Sequence, residues 1–442
     1  MRFPMKTVLL CACFATNAIA QNPPSAHIGP LAVSQEPAPV ASKPLIIHEW
    51  GTFTSLQDES GRSIGGVNVD DEALPAFVHR FGGALVGRDN GGKGFIPGNP
   101  EVTMRLETPV LYFYPPDDKP ITLDVSATFN GGLLTEFYPS AQTTCDGKPL
   151  TKPPDQLNAN TRGGLEWRNV AVHKLEPPIV SCAPAAAGPI GPPQPPVTDS
   201  HVWMTPRLVN STPVTVAREA EQYLFYRGVG HLVAPLRVMR SERSDVIQIY
   251  DNRPMNHPLA PLQLGGMWLA DFRADGSCAF REITDAPASP AAKAKAQPAT
   301  FADADYASEN VDKLEAAMKH SLLAAGLFDD EANAMLETWK LSYFKSNGQR
   351  LFFLVPRDWT DSVLPLKISQ KCDLTRVMMG RIELITPQQR AAAKQLVDQQ
   401  HPIKSGELRS KLANSLGRFR DAILQDESRK QSAAPAAVGA AN

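Results

Sequence analysis

The side chains in this sequence that are best suited to chemistry are two histidines, two glutamates and an arginine in three apolar runs: His48, Glu49, Glu107, Arg227 and His231. A histidine beside a glutamate can transfer protons or hold a metal ion, and an arginine at a strand end can bind a carboxylate or a phosphate. The pair does not extend to an H-E-x-x-H zinc motif, because Thr52 stands where the second histidine belongs. These residues are therefore candidate acid/base or metal-binding groups if the fold brings them into one cleft.

Local context favours structural roles for the same residues. His48 and Glu49 lie in a strand-like run, where consecutive side chains point to opposite faces and are poorly placed to share a site. Arg227 follows the aromatic run 223–226, and a guanidinium that loses water there needs a carboxylate partner. Glu107 lies in another strand-like run, so we expect a buried Arg227–Glu107 ion pair that joins two strands.

Two motif-like segments are better explained as turns. Residues 61–65 have the G-x-S-x-G spacing of a nucleophile elbow, but no apolar strand precedes them and no helix follows. Arg357, Asp358 and Asp361 follow an apolar run. We expect them to form a turn network rather than the paired carboxylates of a glycosidase.

The composition predicts a β-rich N-terminal domain over residues 44–284, with a sandwich or barrel-like architecture. Residues 21–43 and 285–300 are rich in Pro and Ala and predict linkers, and residues 183–198 predict a polyproline-like loop. The predicted strands are rich in β-branched and aromatic residues and are bounded by turn residues. They are Leu45–Leu56, Val102–Tyr114, Ile121–Phe129, Leu165–His173, Tyr223–Tyr226, Asp245–Tyr250 and Met267–Phe272.

Residues 301–428 predict a mixed α+β part, followed by a disordered tail over 429–442. Helical spacing begins near Val311 and again at Asp329, and Thr386-Pro387-Gln388-Gln389 has the pattern of a capped helix start. The predicted strands between these helices are Leu351–Val355, Val363–Ile368 and Arg376–Ile385. One last helix is expected, because its apolar residues follow a single stripe: Leu408, Leu412, Leu416, Phe419 and Ile423.

The first twenty residues predict a secretory signal peptide. Arg2 and Lys6 precede a short apolar stretch, and residues 18–20 form a small-x-small site, so we expect cleavage after Ala20. The mature protein is then periplasmic or secreted. A formal net charge of −2 creates no strong field for nucleic acid, and we expect no nucleic-acid partner. No later apolar run reaches about 18 residues, which predicts no transmembrane span in the mature chain.

Export also changes the expected state of the cysteines. Loss of the signal peptide leaves Cys145, Cys182, Cys278 and Cys372, which an oxidising compartment favours in disulfides. We favour Cys145–Cys182, which closes a local loop, and Cys278–Cys372, which ties the two parts of the chain together. A zinc site is disfavoured because no two of them have C-x-x-C spacing.

Several of these runs resemble a family of uncharacterised secreted bacterial proteins. The similar segments lie in both parts of the chain: HEWGTFT at 48–54, LETPVLYFYP at 106–115, LFYRGVG at 224–230, ETWKLSYF at 337–344, LVPRDWTDSVLPL at 354–366 and GRIEL at 380–384. The resemblance implies export and one full-length, two-part architecture. It implies no activity, cofactor or catalytic residue.

Export, near-neutral charge and the lack of a complete catalytic motif favour an exported soluble protein with a binding or structural role. The alternative is a secreted hydrolase acting on a polymer or peptide, with acid/base residues near His48/Glu49 and Arg227/His231. A second alternative is a metal-binding protein that uses the same His and Glu side chains. The sequence assigns no cofactor.

Export predicts a specific cleavage product. Expressed in a bacterial host, the protein should leave the cytoplasm and its mature chain should begin near Gln21, because the signal peptidase recognises the small residues at 18–20. Cell fractionation and intact-mass measurement check both points. A cytoplasmic protein that keeps residues 1–20 would contradict the expectation.

Overall fold

The computed structural model describes residues 43–69, 73–80, 98–152, 154, 156–175, 193–241, 245–253, 262, 264–289 and 292–433. The predicted signal peptide, residues 21–42, most of the 183–198 loop, Cys182 and residues 434–442 lie outside the described residues.

The described residues are rich in strands. In the first part of the chain these are β1 (Leu45–Gln57), β2 (Ser63–Ile64), β3 (His79–Arg80), β4 (Met104–Tyr114), β5 (Ile121–Asn130), β6 (Gly132–Tyr138), β7 (Gln142–Cys145), β8 (Lys148–Pro149), β9 (Arg162–Val172), β10 (Val214–Val216), β11 (Glu219–Glu221), β12 (Leu224–Gly230), β13 (Leu236–Arg240), β14 (Val246–Asp251), β15 (Met267–Phe272) and β16 (Cys278–Glu282). The later ones are β17 (Ala296–Pro298), β18 (Gly348–Leu354), β19 (Leu366–Ile368) and β20 (Cys372–Leu384).

The helices are concentrated in the C-terminal part, as the sequence predicts. They are α1 (His201–Met204), α2 (Asn310–Ala324), α3 (Asp329–Thr338), α4 (Arg357–Val363), α5 (Pro387–Val397), α6 (Gly406–Ser415) and α7 (Arg420–Ala433), with a π-helical turn over Leu341–Lys345. α7 reaches Ala433 and so includes the first residues of the predicted tail.

β1 lies at the centre of a mixed sheet. It pairs antiparallel with β4 and parallel with β20, and the parallel ladder runs from Leu45↔Cys372 to Gln57↔Leu384. Outward from β20 the sheet continues through β18, β15 and β16, and outward from β4 it continues through β12, β6 and β3. Strands from both parts of the chain therefore share one sheet. Among the described residues this sheet does not close on itself, so the barrel-like form of the fold prediction is wrong.

The two faces of this sheet are buried against different layers. On β1, Ile47 and Phe53 point to a core shared with β5, β9 and the small β13–β14–β17 sheet. Trp50 points to the opposite face, where α1, α2 and α3 cover the sheet. β1 and β4 are buried on both faces along almost their whole length, so the polar side chains within them need partners inside the protein.

β1 and β4 approach closely at a bulge. The ladder shifts register between Trp50 and Thr52, opposite Thr108, whose φ of 51° is unusual for a β-branched residue. A Cβ atom on Gly51 would lie 2.9 Å from the Cα atom of Pro109. Gly51 therefore permits a backbone contact that no larger residue allows without displacing β4.

The prediction of a single last helix is wrong. α6 and α7 are separate helices, and a short 3-10 turn over Gly417–Phe419 divides them. Gly417 has a φ of 69°, which a helix does not accommodate, so the apolar stripe changes direction there. By contrast, the predicted start of α5 is confirmed: Thr386 Oγ1 accepts from the Gln389 amide and Gln389 Oε1 accepts from the Thr386 amide.

The described cysteines form no disulfide, so the predicted Cys278–Cys372 pair is wrong and Cys145 is not bonded to Cys182, which lies outside the described residues. Cys145, Cys278 and Cys372 are free thiols. Cys278 is paired through β15 and β18 with the Leu384 end of β20, whereas Cys372 begins that strand. β20 has 13 residues and therefore spans roughly 40 Å, while a disulfide needs Cα atoms within about 7 Å. Burial also raises the pKa of Cys278 to about 12 and, with Asp146, that of Cys145 to about 11, so both thiols remain protonated.

α7 is held to the turn after β1 by ion pairs. Arg62 Nη2 lies 2.6 Å from Asp426 Oδ1 and also pairs with Asp58. Lys430 Nζ lies 3.5 Å from Asp58 Oδ2 and 3.4 Å from Asp426 Oδ2. Burial alone would raise the pKa of both aspartates, but hydrogen bonds from Ser60 and Arg62 and the nearby positive charges bring both below their usual value.

This network predicts a specific acid response. A carboxyl group whose folded-state pKa is depressed contributes stability that is present above its unfolded pKa, about 4, and is lost as the pH falls through the folded value. Asp426→Asn should therefore lower the melting temperature at neutral pH, and the gap to the wild type should shrink below about pH 4. Asp421→Asn is the matched control, because Asp421 is exposed on the same helix. Parallel curves for Asp426→Asn and wild type down to low pH would contradict this role.

Candidate functional site

His48 connects the central sheet to α3. Its Nδ1 atom lies 2.8 Å from Oε2 of Glu331, a fully buried carboxylate. The Tyr114 hydroxyl donates to Oε1 of the same group, and the Phe328 amide donates to Oε2. The Phe328 ring also packs 4.5 Å from the imidazole ring. His48 is thus one of three donors that satisfy a buried carboxylate, and its hydrogen bond fixes α3 on β1.

Glu49 points to the opposite face, as the strand pattern predicts. Tyr226 donates its hydroxyl to Oε1, and Arg376 on β20 forms a buried ion pair with Oε2. Arg376 also reaches Asp361 on α4, at 2.7 Å from Oδ1. Burial acts to lower the pKa of Arg376, but Glu49 raises it above its usual value. The guanidinium therefore remains charged between two carboxylates, and Glu49 is committed to joining β1, β12 and β20.

The predicted Arg227–Glu107 pair is wrong. Arg227 on β12 lies directly opposite Glu136 on β6, and its Nη1 atom is 3.8 Å from Glu136 Oε2. Glu107 is instead 3.3 Å from Nη2 of Arg418, which comes from the turn between α6 and α7, and 3.9 Å from Arg105 Nε. The sequence does not define which strand lies on each side of β12, and β6 supplies the carboxylate in register.

His231 lies just beyond β12 and is separate from the other candidates. Its Nδ1 atom is 2.6 Å from the carbonyl oxygen of Glu101, and its amide donates to Gly131. Glu107 faces Thr52 on β1, four residues or roughly 13 Å along the strand from His48. The fold therefore distributes the five candidate side chains over both faces and one end of the sheet, each with a local partner.

The segment over Arg357, Asp358 and Asp361 begins a short helix, α4, rather than a loop. Arg357 Nε lies 2.7 Å from Asp361 Oδ2, and Asp358 Oδ2 accepts from Arg253 at 2.9 Å. Asp361 bridges Arg357 and the buried Arg376. The three residues form a charge network at a helix start, in agreement with the structural role expected for them.

A polar cavity of about 560 Å³ lies at one end of the sheet, where no candidate from the sequence is found. We call it the Tyr306 cavity. Its charged and aromatic lining comes from separate segments: Arg240, Asp245, Asp271, Arg273, Phe301 and Tyr306. Its size is within the range of small-ligand sites.

Strand ends and the start of a helix form this cavity. Asp271 at the end of β15 is paired with Gln349 at the start of β18, and β20 ends beside them and leads into α5. The capped first turn of α5 contributes Gln388 and Gln389, and Arg240 ends β13. Loops and element ends on a rigid sheet are the usual place for binding residues.

Hydrogen bonds fix the polar groups of the Tyr306 cavity. The Tyr306 hydroxyl donates to Asp271 Oδ2 at 2.7 Å, and the Arg273 guanidinium stacks 3.4 Å from the centre of the Tyr306 ring. Arg240 donates to Gln349 Oε1, while Gln349 Nε2 donates to the Ala299 carbonyl at 2.7 Å. The charged side chains are therefore preorganised before any ligand enters.

A second cavity, of about 1080 Å³, adjoins the first. Both are lined by Arg240 and Pro387, and the second extends between β13, the turn after β1, α5 and α7. Its lining includes Glu59, Lys394 and Lys430. Both cavities lie along the N-terminal half of α5, and we refer to them together as the groove.

Sequence reasoning missed the Tyr306 cavity because its residues come from segments that lie far apart in the chain, none with a motif of its own. The one local signal was Thr386-Pro387-Gln388-Gln389, which correctly predicts the helix start but gives no sign that a cavity lies beside it.

The described residues contain neither a cluster of metal-binding side chains nor a helix that could span a membrane. Nowhere in them do three His, Cys, Asp or Glu side chains come together in a way that could hold a metal ion. Their helices are all too short or too polar to cross a lipid bilayer.

In comparisons with known proteins, the chain matches no protein-family model and none of the curated proteins.

The pairing of Arg227 with Glu136 predicts a selective rescue. Arg227→Met should destabilise the protein by about 3 kcal/mol, because Glu136 loses one cation; the cost is at the low end for a buried pair since Arg80 stays 3.3 Å from Glu136. Adding Glu136→Gln should recover part of this loss, and adding Glu107→Gln should not. Urea unfolding of the single and double variants measures both effects. Equal rescue by the two glutamines would contradict the Glu136 pairing.

Proposed function

We propose that this chain is an exported protein with a non-catalytic binding role, and that its ligand enters the Tyr306 cavity. The observation that carries the proposal is a contrast in exposure. Four candidate catalytic residues are withdrawn from solvent, with exposed fractions of 4% for His48, 1% for Glu49 and 2% each for Glu107 and Arg227. The Tyr306 cavity, by comparison, is open and lined by fixed polar groups.

The hydrogen bonds and ion pairs that the buried candidate residues already make argue against a hydrolytic role for them. A general acid or base must lie within hydrogen-bond reach of a substrate atom. His48 contacts the carboxylate of Glu331, and Glu49 is shared between Tyr226 and Arg376. A substrate would have to break these interactions and strand a buried charge, at a cost of several kcal/mol. The hydrolase alternative therefore requires residues other than these.

The Tyr306 cavity has the features of a binding site. Arg240, Asp271 and Gln349 are held in place by hydrogen bonds within the protein or lie in strand ends, so a ligand would meet donors and acceptors already in position. Preorganised polar groups lower the entropy cost of binding. Export, implied by residues 1–20, remains part of the proposal and locates the ligand in the periplasm or outside the cell.

A retention experiment tests the binding role. The mature protein is purified from the exported fraction, mixed with a small-molecule extract of the host, and separated from unbound material by gel filtration. Compounds released by denaturation are identified by mass spectrometry. We expect wild type to retain a compound that Arg240→Met loses, because Arg240 supplies a donor to the cavity.

The matched control is Arg168→Met, which removes an exposed arginine that lines neither cavity and pairs with Glu166 on the same strand. It should retain the compound as the wild type does. Recovery of reaction products in place of the added compound would favour the hydrolase alternative. Equal retention by wild type and Arg240→Met, or none by either, would contradict the proposed function.

A further inference from the structure

We infer that the ligand of the Tyr306 cavity is a neutral, linear oligosaccharide whose chain continues into the adjoining cavity past Arg240. This inference names the ligand class and rests on the binding role proposed above.

The balance of charge in the cavity disfavours an ionic ligand. Two arginines, Arg240 and Arg273, face two aspartates, Asp245 and Asp271. Arg240 is half-buried, and among the described residues its side chain donates one hydrogen bond, to Gln349. Burial lowers the pKa of Arg240, opposed by the charges of Asp245, Glu59 and Asp271. An anion that approached Arg240 would meet these carboxylates, and a cation would meet two guanidinium groups.

The remaining polar lining suits hydroxyl groups. Asn347 and Gln388 supply amide side chains, and Thr300 and Ser415 supply hydroxyl groups, whereas Gln349, Gln389 and Thr386 also line the cavity but are engaged in hydrogen bonds within the protein. An amide offers a donor and an acceptor side by side, and a sugar hydroxyl both donates and accepts. Adjacent hydroxyls of a sugar ring can therefore be satisfied by neutral groups, with Asp271 as acceptor and Arg240 as donor.

The apolar part of the lining is mainly aromatic. Phe301 and Tyr306 supply rings, and Ala274 and Pro387 supply small apolar surfaces; the described lining residues of this cavity include no Leu, Ile, Val or Met. Aromatic rings bury the C–H surface of a sugar while leaving its rim free for hydrogen bonds. An aliphatic ligand would instead displace water from the polar groups of the cavity without replacing the hydrogen bonds that the water made.

The adjacency of the two cavities points to a chain of several sugar units. The cavity of about 560 Å³ adjoins the cavity of about 1080 Å³, and Arg240 and Pro387 line both. A single small molecule would occupy one compartment. A linear ligand can pass Arg240 and continue beside α5, which places Arg240 at its middle and predicts that affinity increases with chain length.

Titration calorimetry of the full mature protein with malto-, cello- and chito-oligosaccharides tests the inference. We expect one of these series to bind, with affinity that rises with chain length and changes little between low and high salt, because the ligand carries no charge. Citrate and spermidine serve as anionic and cationic probes and should bind at least tenfold more weakly.

Two cavity variants locate the binding. Arg240→Met should weaken the oligosaccharide about tenfold or more, since it removes hydrogen bonds from a charged donor. Gln388→Ala should weaken it about 2–10-fold, and this residue is exposed on the first turn of α5, so its loss should leave the fold intact. Arg168→Met, remote from the groove, should bind as the wild type does.

The outcomes separate this inference from the proposed function. Failure of every oligosaccharide to bind, or binding that is unchanged in both Arg240→Met and Gln388→Ala, overturns the oligosaccharide assignment. So does tighter binding of citrate or spermidine with a steep salt dependence. If the extract experiment still retains a compound that Arg240→Met loses, the binding role stands and only the ligand class is wrong.

Discussion

The parallel pairing of β1 with β20 is the constraint on which the rest of this structure depends. It joins residues 45–57 to residues 372–384, and every other layer is arranged around that ladder. The buried Glu49–Arg376 ion pair crosses it on one face, while the hydrogen bond from His48 to Glu331 anchors α3 on the other. Because both faces are covered, the polar residues of β1 need partners inside the protein. Their hydrogen bonds and ion pairs therefore hold the layers together.

Local elements could be predicted from the sequence, but their long-range arrangement could not. β15 matches its predicted bounds, and the capped start of α5 is where the sequence places it, because alternation and capping are local properties. Val363–Ile368 was expected to be a strand but contains the end of α4 before β19, since short apolar runs do not distinguish the two. Nothing local indicates that β20 pairs with β1.

For the candidate site, too, local properties could be predicted from the sequence and long-range partners could not. The sequence correctly indicates that Arg227 needs a carboxylate, because burial of a guanidinium is a property of its own strand. The identity of that carboxylate depends on which strands flank β12 and in what register, and β6 places Glu136 there. The Tyr306 cavity is still further from sequence reasoning: Asp271, Gln349 and Arg240 are ordinary residues until three strand ends bring them together.

The separation in the chain between β1 and β20 also has a consequence for how the protein is made. A polypeptide that emerges N-terminus first presents β1 more than three hundred residues before its parallel partner exists. Until then the apolar strand has β4 on one side and an open edge on the other, the kind of edge that recruits strands from other chains. Completion of the sheet must wait for nearly the whole polypeptide, so this edge of β1 stays open to association until β20 has been made.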